Sequence, residues 1–174
     1  MKPLLQSLLT VVSLALLASC EPQDSVPAPD AGTIRVVATT TMVADMVREI
    51  GGADLSVTAL MGAGVDPHLY KATAEDAQAL GTASAIFYNG LMLEGRMSEL
   101  LDQLAKRGKP VHAVTSKMPH AELLQSDGGS DHPDPHVWGD AKLWSSSIEI
   151  VVEGLSEVLP DKAAAFAERG AKLK

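Results

Sequence analysis

Two copies of one tripeptide, Asp-Pro-His, are the residues of this sequence best suited to chemistry. They cover residues 66–68 and 134–136. At average usage of roughly 5% per residue type, a chain of this length would hold about 0.02 copies of a given tripeptide, so the repetition indicates a repeated task. Proline fixes its own φ and drives the preceding aspartate toward extended geometry, which limits where the histidine can point. Such stiff loops suit metal ligands.

The two histidines, His68 and His136, are therefore candidate metal ligands. Neutral imidazole is a preferred ligand of zinc-like ions, and protonated imidazole cannot coordinate, so we expect binding to weaken at acid pH. The long separation in the chain excludes a local finger and requires the fold to bring them together. The alternative is that each hydrogen-bonds nearby backbone in its loop. Two imidazoles leave a site incomplete, since zinc takes four donors and manganese takes more oxygen ligands.

Polar residues beside these histidines have two interpretations each. Asp66, Asp134 and Asp140 could orient the imidazoles as acceptors around the ligands, although aspartate before proline is also a common turn starter. His132 is either an auxiliary metal ligand or a solvated loop residue.

Short apolar runs alternate with amphipathic segments along residues 33–174, which is typical of a parallel sheet covered by helices. We expect strands over residues 34–38, 55–60, 85–88 and 111–114. We expect helices from a cap at Thr41 to Gly51 and Gly52, over residues 74–80 between Thr73 and Gly81, and over 94–104, 141–158 and 161–174. The predicted fold is α/β, with a central, mostly parallel four-stranded sheet flanked by helices. Both Asp-Pro-His loops follow strands and should meet at the carboxyl edge of the sheet.

The N-terminus has the layout of a secretory signal, with Lys2 followed by an apolar stretch that ends in small residues before Cys20. This arrangement resembles a bacterial lipoprotein signal, in which the cysteine is acylated and becomes the new N-terminus. We expect a signal peptide over residues 1–19 and a flexible, proline-rich tether over 20–32. An uncleaved membrane anchor over residues 3–20 is the alternative.

Composition excludes other classes of protein. The chain has 174 residues, 46% of them hydrophobic, and a formal net charge of −8. A negative chain repels phosphates, and its 3% aromatic content offers no stacking platform, so we expect no nucleic-acid partner. The single cysteine cannot form an internal disulfide.

Four blocks, over residues 36–45, 60–73, 87–91 and 134–138, resemble in order and spacing the solute-binding lipoproteins of zinc and manganese ABC transporters, the TroA-like group. The resemblance implies that His68 and His136 are ligands of an N-terminal lobe. It implies a non-enzymatic, monomeric receptor that captures Zn²⁺ or Mn²⁺, with Fe²⁺ as a further candidate, and delivers it to a membrane permease. It also implies a place in the periplasm or on the outer face of the cytoplasmic membrane, anchored by lipid on Cys20.

Relatives in that group have two lobes joined by one long helix, and their second lobe supplies the remaining ligands. By this resemblance, residues 33–159 are the N-terminal lobe and residues 160–174 begin the interlobe helix. We therefore expect a truncated chain that lacks the C-terminal lobe.

Two other function classes stay open. A surface adhesion lipoprotein would carry the histidines incidentally. A zinc hydrolase would need a general base and an open coordination position, and the sequence lacks a His-Glu-x-x-His signature.

Overall fold

The computed structural model describes residues 33–126 and 132–174. The expected signal peptide, lipidated Cys20 and tether lie outside the described residues, as does the alternative membrane anchor. Within the described ranges, no helix combines the length and apolar character that crossing a membrane requires.

Four parallel strands form the central sheet, as predicted. Their bounds are Ile34–Ala38 (β1), Leu55–Ala59 (β2), Ala85–Tyr88 (β3) and Val111–Ala113 (β4). The order across the sheet is β2-β1-β3-β4, and Val36 of β1 pairs with Val57 of β2 and Ala85 of β3. Residues 36–38 of β1 and 85–87 of β3 are buried on both faces of the sheet, which explains the short apolar runs in these two central strands. The structure confirms the α/β fold class.

Helices cover both faces of the sheet. They are Thr41–Gly51 (α1), Ala74–Thr82 (α2), Met97–Lys106 (α3), Ala141–Ser145 (α4), Ser147–Val158 (α5) and Ala163–Leu173 (α6). Side chains of β1 alternate between the faces, so Val36 packs with α1, α5 and α6, while Val37 packs with α2 and α3. The residues at the carboxyl edge of the sheet are therefore held by a core on either side.

Two predicted helix limits are wrong at their caps. Thr40, not Thr41, caps α1, because its extended backbone lets its hydroxyl accept a hydrogen bond from the N–H of Val43. Helix α2 does not stop at Gly81 but continues to Thr82, where Lys109 Nζ donates to the terminal carbonyl of Gly81. The predicted cap at Thr73 is confirmed, as part of a capping box with Asp76.

The predicted helix over 141–158 is two helices, separated at Ser146. The hydroxyls of Ser145 and Ser146 donate to the carbonyls of Lys142 and Leu143, and such local bonds compete with the helical ladder. The predicted helix over 161–174 begins at Ala163 instead, and Asp161 lies in a 3-10 turn, Pro160–Lys162, before it. Strands β2 and β4 each end one residue earlier than predicted.

The predicted start of a helix at residue 94 is also wrong, since α3 begins at Met97. Leu91, Met92 and Gly95 all have positive φ, at 53°, 65° and 49°, which no helix tolerates. Glu94, between them, turns its side chain into the protein interior and is fully buried.

Candidate metal centre

The fold brings the two Asp-Pro-His loops together at the carboxyl edge of the sheet. His68 lies in the loop after β2, and His136 lies between β4 and α4, 68 residues further along the chain. Their Nε2 atoms are 3.3 Å apart, with the ring centroids at 5.3 Å and the rings in an edge-to-face arrangement. Both side chains are open to solvent, so an ion could reach them.

The two loops have the same local geometry. In each, an aspartate Oδ1 accepts a hydrogen bond of 2.9 Å from the main-chain N–H two residues later, Asp66 from His68 and Asp134 from His136. These are Asx turns, in which the aspartate carboxylate stands in for a backbone carbonyl. The repeated tripeptide is therefore a repeated turn that presents a histidine.

Asp134 also contacts the imidazole of its own loop, since its Oδ1 lies 2.6 Å from His136 Nδ1. An imidazole that donates from Nδ1 carries its lone pair on Nε2, the nitrogen that faces His68. The main-chain N–H of His136, followed by its imidazole, holds the pKa of Asp134 below its usual range. The Asp66 hydrogen bond goes to the main chain of His68.

Two further predicted site residues are Asp140 and His132. Asp140 caps α4 through a 3.0 Å hydrogen bond from the N–H of Leu143, so its observed contact is to a helix end and not to an imidazole. Its role around the ligands stays a prediction. His132 is exposed, and its auxiliary role also stays a prediction.

A hollow of about 350 Å³ opens beside His136. Three acidic residues, Glu122, Asp134 and Asp140, line it together with apolar side chains. Carboxylates at its wall favour a cation over an anion. In residues 33–126 and 132–174, no group of three or more His, Cys, Asp or Glu side chains has the geometry to hold a metal ion.

Sequence reasoning missed Glu94, which lies directly behind the two loops. Its Oε1 accepts hydrogen bonds from the Thr39 hydroxyl at 2.8 Å and the Asn89 N–H at 2.6 Å, and its Oε2 accepts from the Gly90 N–H at 3.1 Å. Burial raises the pKa of Glu94 above its ordinary value, and the hydrogen bonds oppose that rise. The available signal was an acidic residue just after a strand-end Asn-Gly turn, a pattern too short to stand out.

Comparison with known proteins identifies the family. Residues 36–174 match the family described as zinc-uptake complex component A, periplasmic (ZnuA), and the chain belongs to this family. It is 45% identical over 134 residues to the zinc-binding protein TroA of Treponema pallidum, covering 77% of this chain and 42% of that protein. It is 38% identical over 141 residues to the manganese-binding lipoprotein MntA of Bacillus subtilis, covering 81% and 45%.

A solved structure agrees with this assignment. The periplasmic zinc-binding protein TroA from Treponema pallidum superimposes with a TM-score of 0.75 at 43% sequence identity, over 81% of this chain and 50% of that one. The chain thus spans about half the length of the relatives it matches.

Proposed function

We propose that this protein is the extracytoplasmic metal-binding component of an ABC transporter, which captures Zn²⁺ or Mn²⁺, or Fe²⁺, through His68 and His136 and passes it to a permease. The observation that carries the proposal is the 3.3 Å separation of the two Nε2 atoms. A tetrahedral zinc ion with Zn–N bonds of 2.0–2.1 Å needs two nitrogens about 3.3 Å apart, so the pair already has the spacing of two ligands.

Relatives support the ion and the transport role. TroA of Treponema pallidum is named as zinc-binding, MntA of Bacillus subtilis as a manganese-binding lipoprotein, and MtsA of Streptococcus pyogenes as an iron ABC transporter substrate-binding lipoprotein. Affinity for nitrogen-rich sites rises from manganese toward zinc, so selectivity depends on the donors that complete the site. Receptors of this class work with permeases, which makes a permease the partner and a binding role, not catalysis, the function.

The arrangement along the chain belongs to the same proposal. Residues 1–19 serve as a lipoprotein signal, Cys20 carries the lipid, and residues 20–32 tether the protein to the outer face of the cytoplasmic membrane. Residues 33–159 act as the N-terminal lobe of a two-lobed receptor, and residues 160–174 begin the helix between the lobes. The lobe works as a monomer, with His132 as an auxiliary candidate donor and the other donors supplied from outside the described residues.

A calorimetric titration with Zn²⁺ and with Mn²⁺ tests the function. We expect saturable binding by the wild-type protein, lost in the double variant His68→Ala/His136→Ala and retained in His120→Ala, which removes another exposed histidine. Circular dichroism checks that each variant folds. Wild-type affinity in the folded double variant would contradict the proposal and favour the adhesion alternative, in which the histidines are incidental.

A further inference from the structure

Glu94, which is buried behind the histidine pair, is not among the candidate metal ligands. Glu94 is 0% exposed, and burying an ionisable side chain is costly unless it is hydrogen-bonded. Here three donors converge on it, the Thr39 hydroxyl after β1 and the N–H groups of Asn89 and Gly90 after β3. One side chain therefore ties together the carboxyl ends of the two central strands.

Asn89 extends this connection to the loop of His136. Its Nδ2 donates to the carbonyl of Pro135 at 3.1 Å and to that of Gly90 at 3.0 Å, and Asn89 is itself fully buried. Pro135 directly precedes His136. The position of the His136 imidazole thus depends on Asn89, whose main-chain N–H donates to Glu94.

The loop of His68 rests on the other side of the same segment. Gly95 has a φ of 49°, and a Cβ added there would lie 2.7 Å from the His68 carbonyl oxygen. Leu91 and Met92 also adopt positive φ, at 53° and 65°, which is costly for residues with side chains. Such a backbone persists only where its surroundings over-determine it, and the Glu94 hydrogen bonds are part of those surroundings.

We propose that Glu94 is a positioning residue for the metal site. It fixes the backbone of segment 89–95, which contacts the loops of both histidines and so sets the separation of His68 and His136. The proposal rests on the proposed function only in taking these two histidines as ligands. The buried carboxyl group of Glu94, the positive φ of Leu91 and Met92 and the close approach of Gly95 then all serve to hold the histidine pair.

Glu94→Gln is the sharpest variant, because it keeps the shape of the side chain. If the amide oxygen occupies the Oε1 position, the NH₂ group faces the Gly90 N–H, donor against donor. We expect the segment to relax, changing the imidazole ¹⁵N shifts of both His68 and His136 in a long-range ¹H–¹⁵N spectrum recorded without metal. His112, which stacks on Phe87 in the core, is the internal control and should not shift.

Zinc affinity gives a second readout, with an expected loss of about tenfold or more, as for other residues that orient ligands. Val151→Ala, which truncates a buried side chain of α5, controls for general destabilisation and should leave affinity and both histidine shifts unchanged. A purely structural role for Glu94 predicts the same behaviour for the two variants.

If Glu94→Gln does not fold, two variants of Thr39 provide a milder test. Thr39→Val removes the hydroxyl that donates to Glu94, and Thr39→Ser keeps it. We expect Thr39→Val to move both histidine shifts and to lower zinc affinity, by less than Glu94→Gln, and Thr39→Ser to restore wild-type values. Folded Glu94→Gln or Thr39→Val proteins with unchanged His68 and His136 shifts would overturn the proposal. Absence of zinc binding by the wild type would overturn the proposed function instead, because the histidine shifts are read without metal.

Discussion

At the scale of single residues, two identical tripeptides differ in how their aspartates contact the histidines. Both aspartates form the same turn, but only the Asp134 turn is also seen to engage the imidazole that it presents, at 2.6 Å from His136 Nδ1. A carboxylate at this nitrogen fixes the tautomer and the ring orientation, and it raises the basicity of the other nitrogen. His136 is thus the better prepared of the two candidate ligands.

This asymmetry gives a matched pair of variants. Asparagine preserves the Asx turn but removes the carboxylate charge, so Asp134→Asn should lower zinc affinity by about tenfold or more. Asp66→Asn should change it far less, because the Asp66 hydrogen bond is to the main chain of His68. Competition titration against a zinc-binding dye measures both. Equal losses from the two variants would show that the imidazole contact is unimportant.

At the scale of elements, helix α6 closes the fold by capping α1. Arg169 donates from Nε to the carbonyl of Ile50 and from Nη2 to that of Gly51, and it pairs with Asp54, which also pairs with Lys162. The hydrogen bond from Lys162, aided by the two positive charges, holds the pKa of Asp54 below its usual range. A cation at this helix end also suits the helix dipole.

Arg169→Ala should therefore lower the free energy of unfolding by about 1.5–3 kcal/mol, the range for hydrogen bonds to a charged group. The control is Lys172→Ala on the same helix, which removes an exposed pair with Glu168 and should leave the free energy of unfolding nearly unchanged. Urea denaturation measures both. A loss for Arg169→Ala no larger than that of the control would contradict the capping role.

Strand β4 contributes a pH dependence of its own through His112. Its ring stacks on Phe87, with centroids 5.2 Å apart, and lies close to Gly154. Burial lowers the pKa of His112, and the negative charges of Glu157 and Glu153 oppose that shift only in part.

Because its pKa is lowered in the folded protein, His112 binds fewer protons there than in the unfolded chain, and stability falls as the pH drops below the unfolded value of about 6.5. We expect His112→Gln to reduce the loss of stability between pH 7.5 and pH 5, and His120→Gln, at an exposed position, to leave it unchanged. Urea midpoints at the two pH values test this. An identical pH dependence in wild type and His112→Gln would refute it.

At the scale of the whole molecule, metal binding should be linked to folding. An ion held by loops from two distant parts of the chain binds the folded state only, so free zinc at 100 times the Kd adds about 2.7 kcal/mol of stability. Thermal melts with and without zinc measure this gain, which the double variant His68→Ala/His136→Ala should lack. A gain of equal size in that variant would place the ion elsewhere.

The same linkage gives binding a pH dependence. Both ligands must be neutral, so zinc affinity should weaken as the pH falls from about 8 to about 5, across the ordinary histidine range. Titrations at several pH values check this, and a flat affinity would argue against imidazole ligands.

Much of the fold could be predicted because each strand and helix depends on local patterns. Short apolar runs between amphipathic segments located the four strands of the sheet to within one residue. The errors came where a side chain competes with the helix ladder, as at Ser146, or where a long-range contact is involved, as between Glu94 and Thr39. The repeated tripeptide led us to expect the meeting of His68 and His136, whereas the support from Glu94 depends on strand ends that come together only in the folded chain.

Zinc X-ray absorption on the loaded protein tests most directly whether His68 and His136 hold the ion together. We expect imidazole scattering from two ligands at Zn–N distances of 2.0–2.1 Å, lost in the folded double variant His68→Ala/His136→Ala. A zinc shell with no imidazole scattering, or an unchanged spectrum in the double variant, would contradict it.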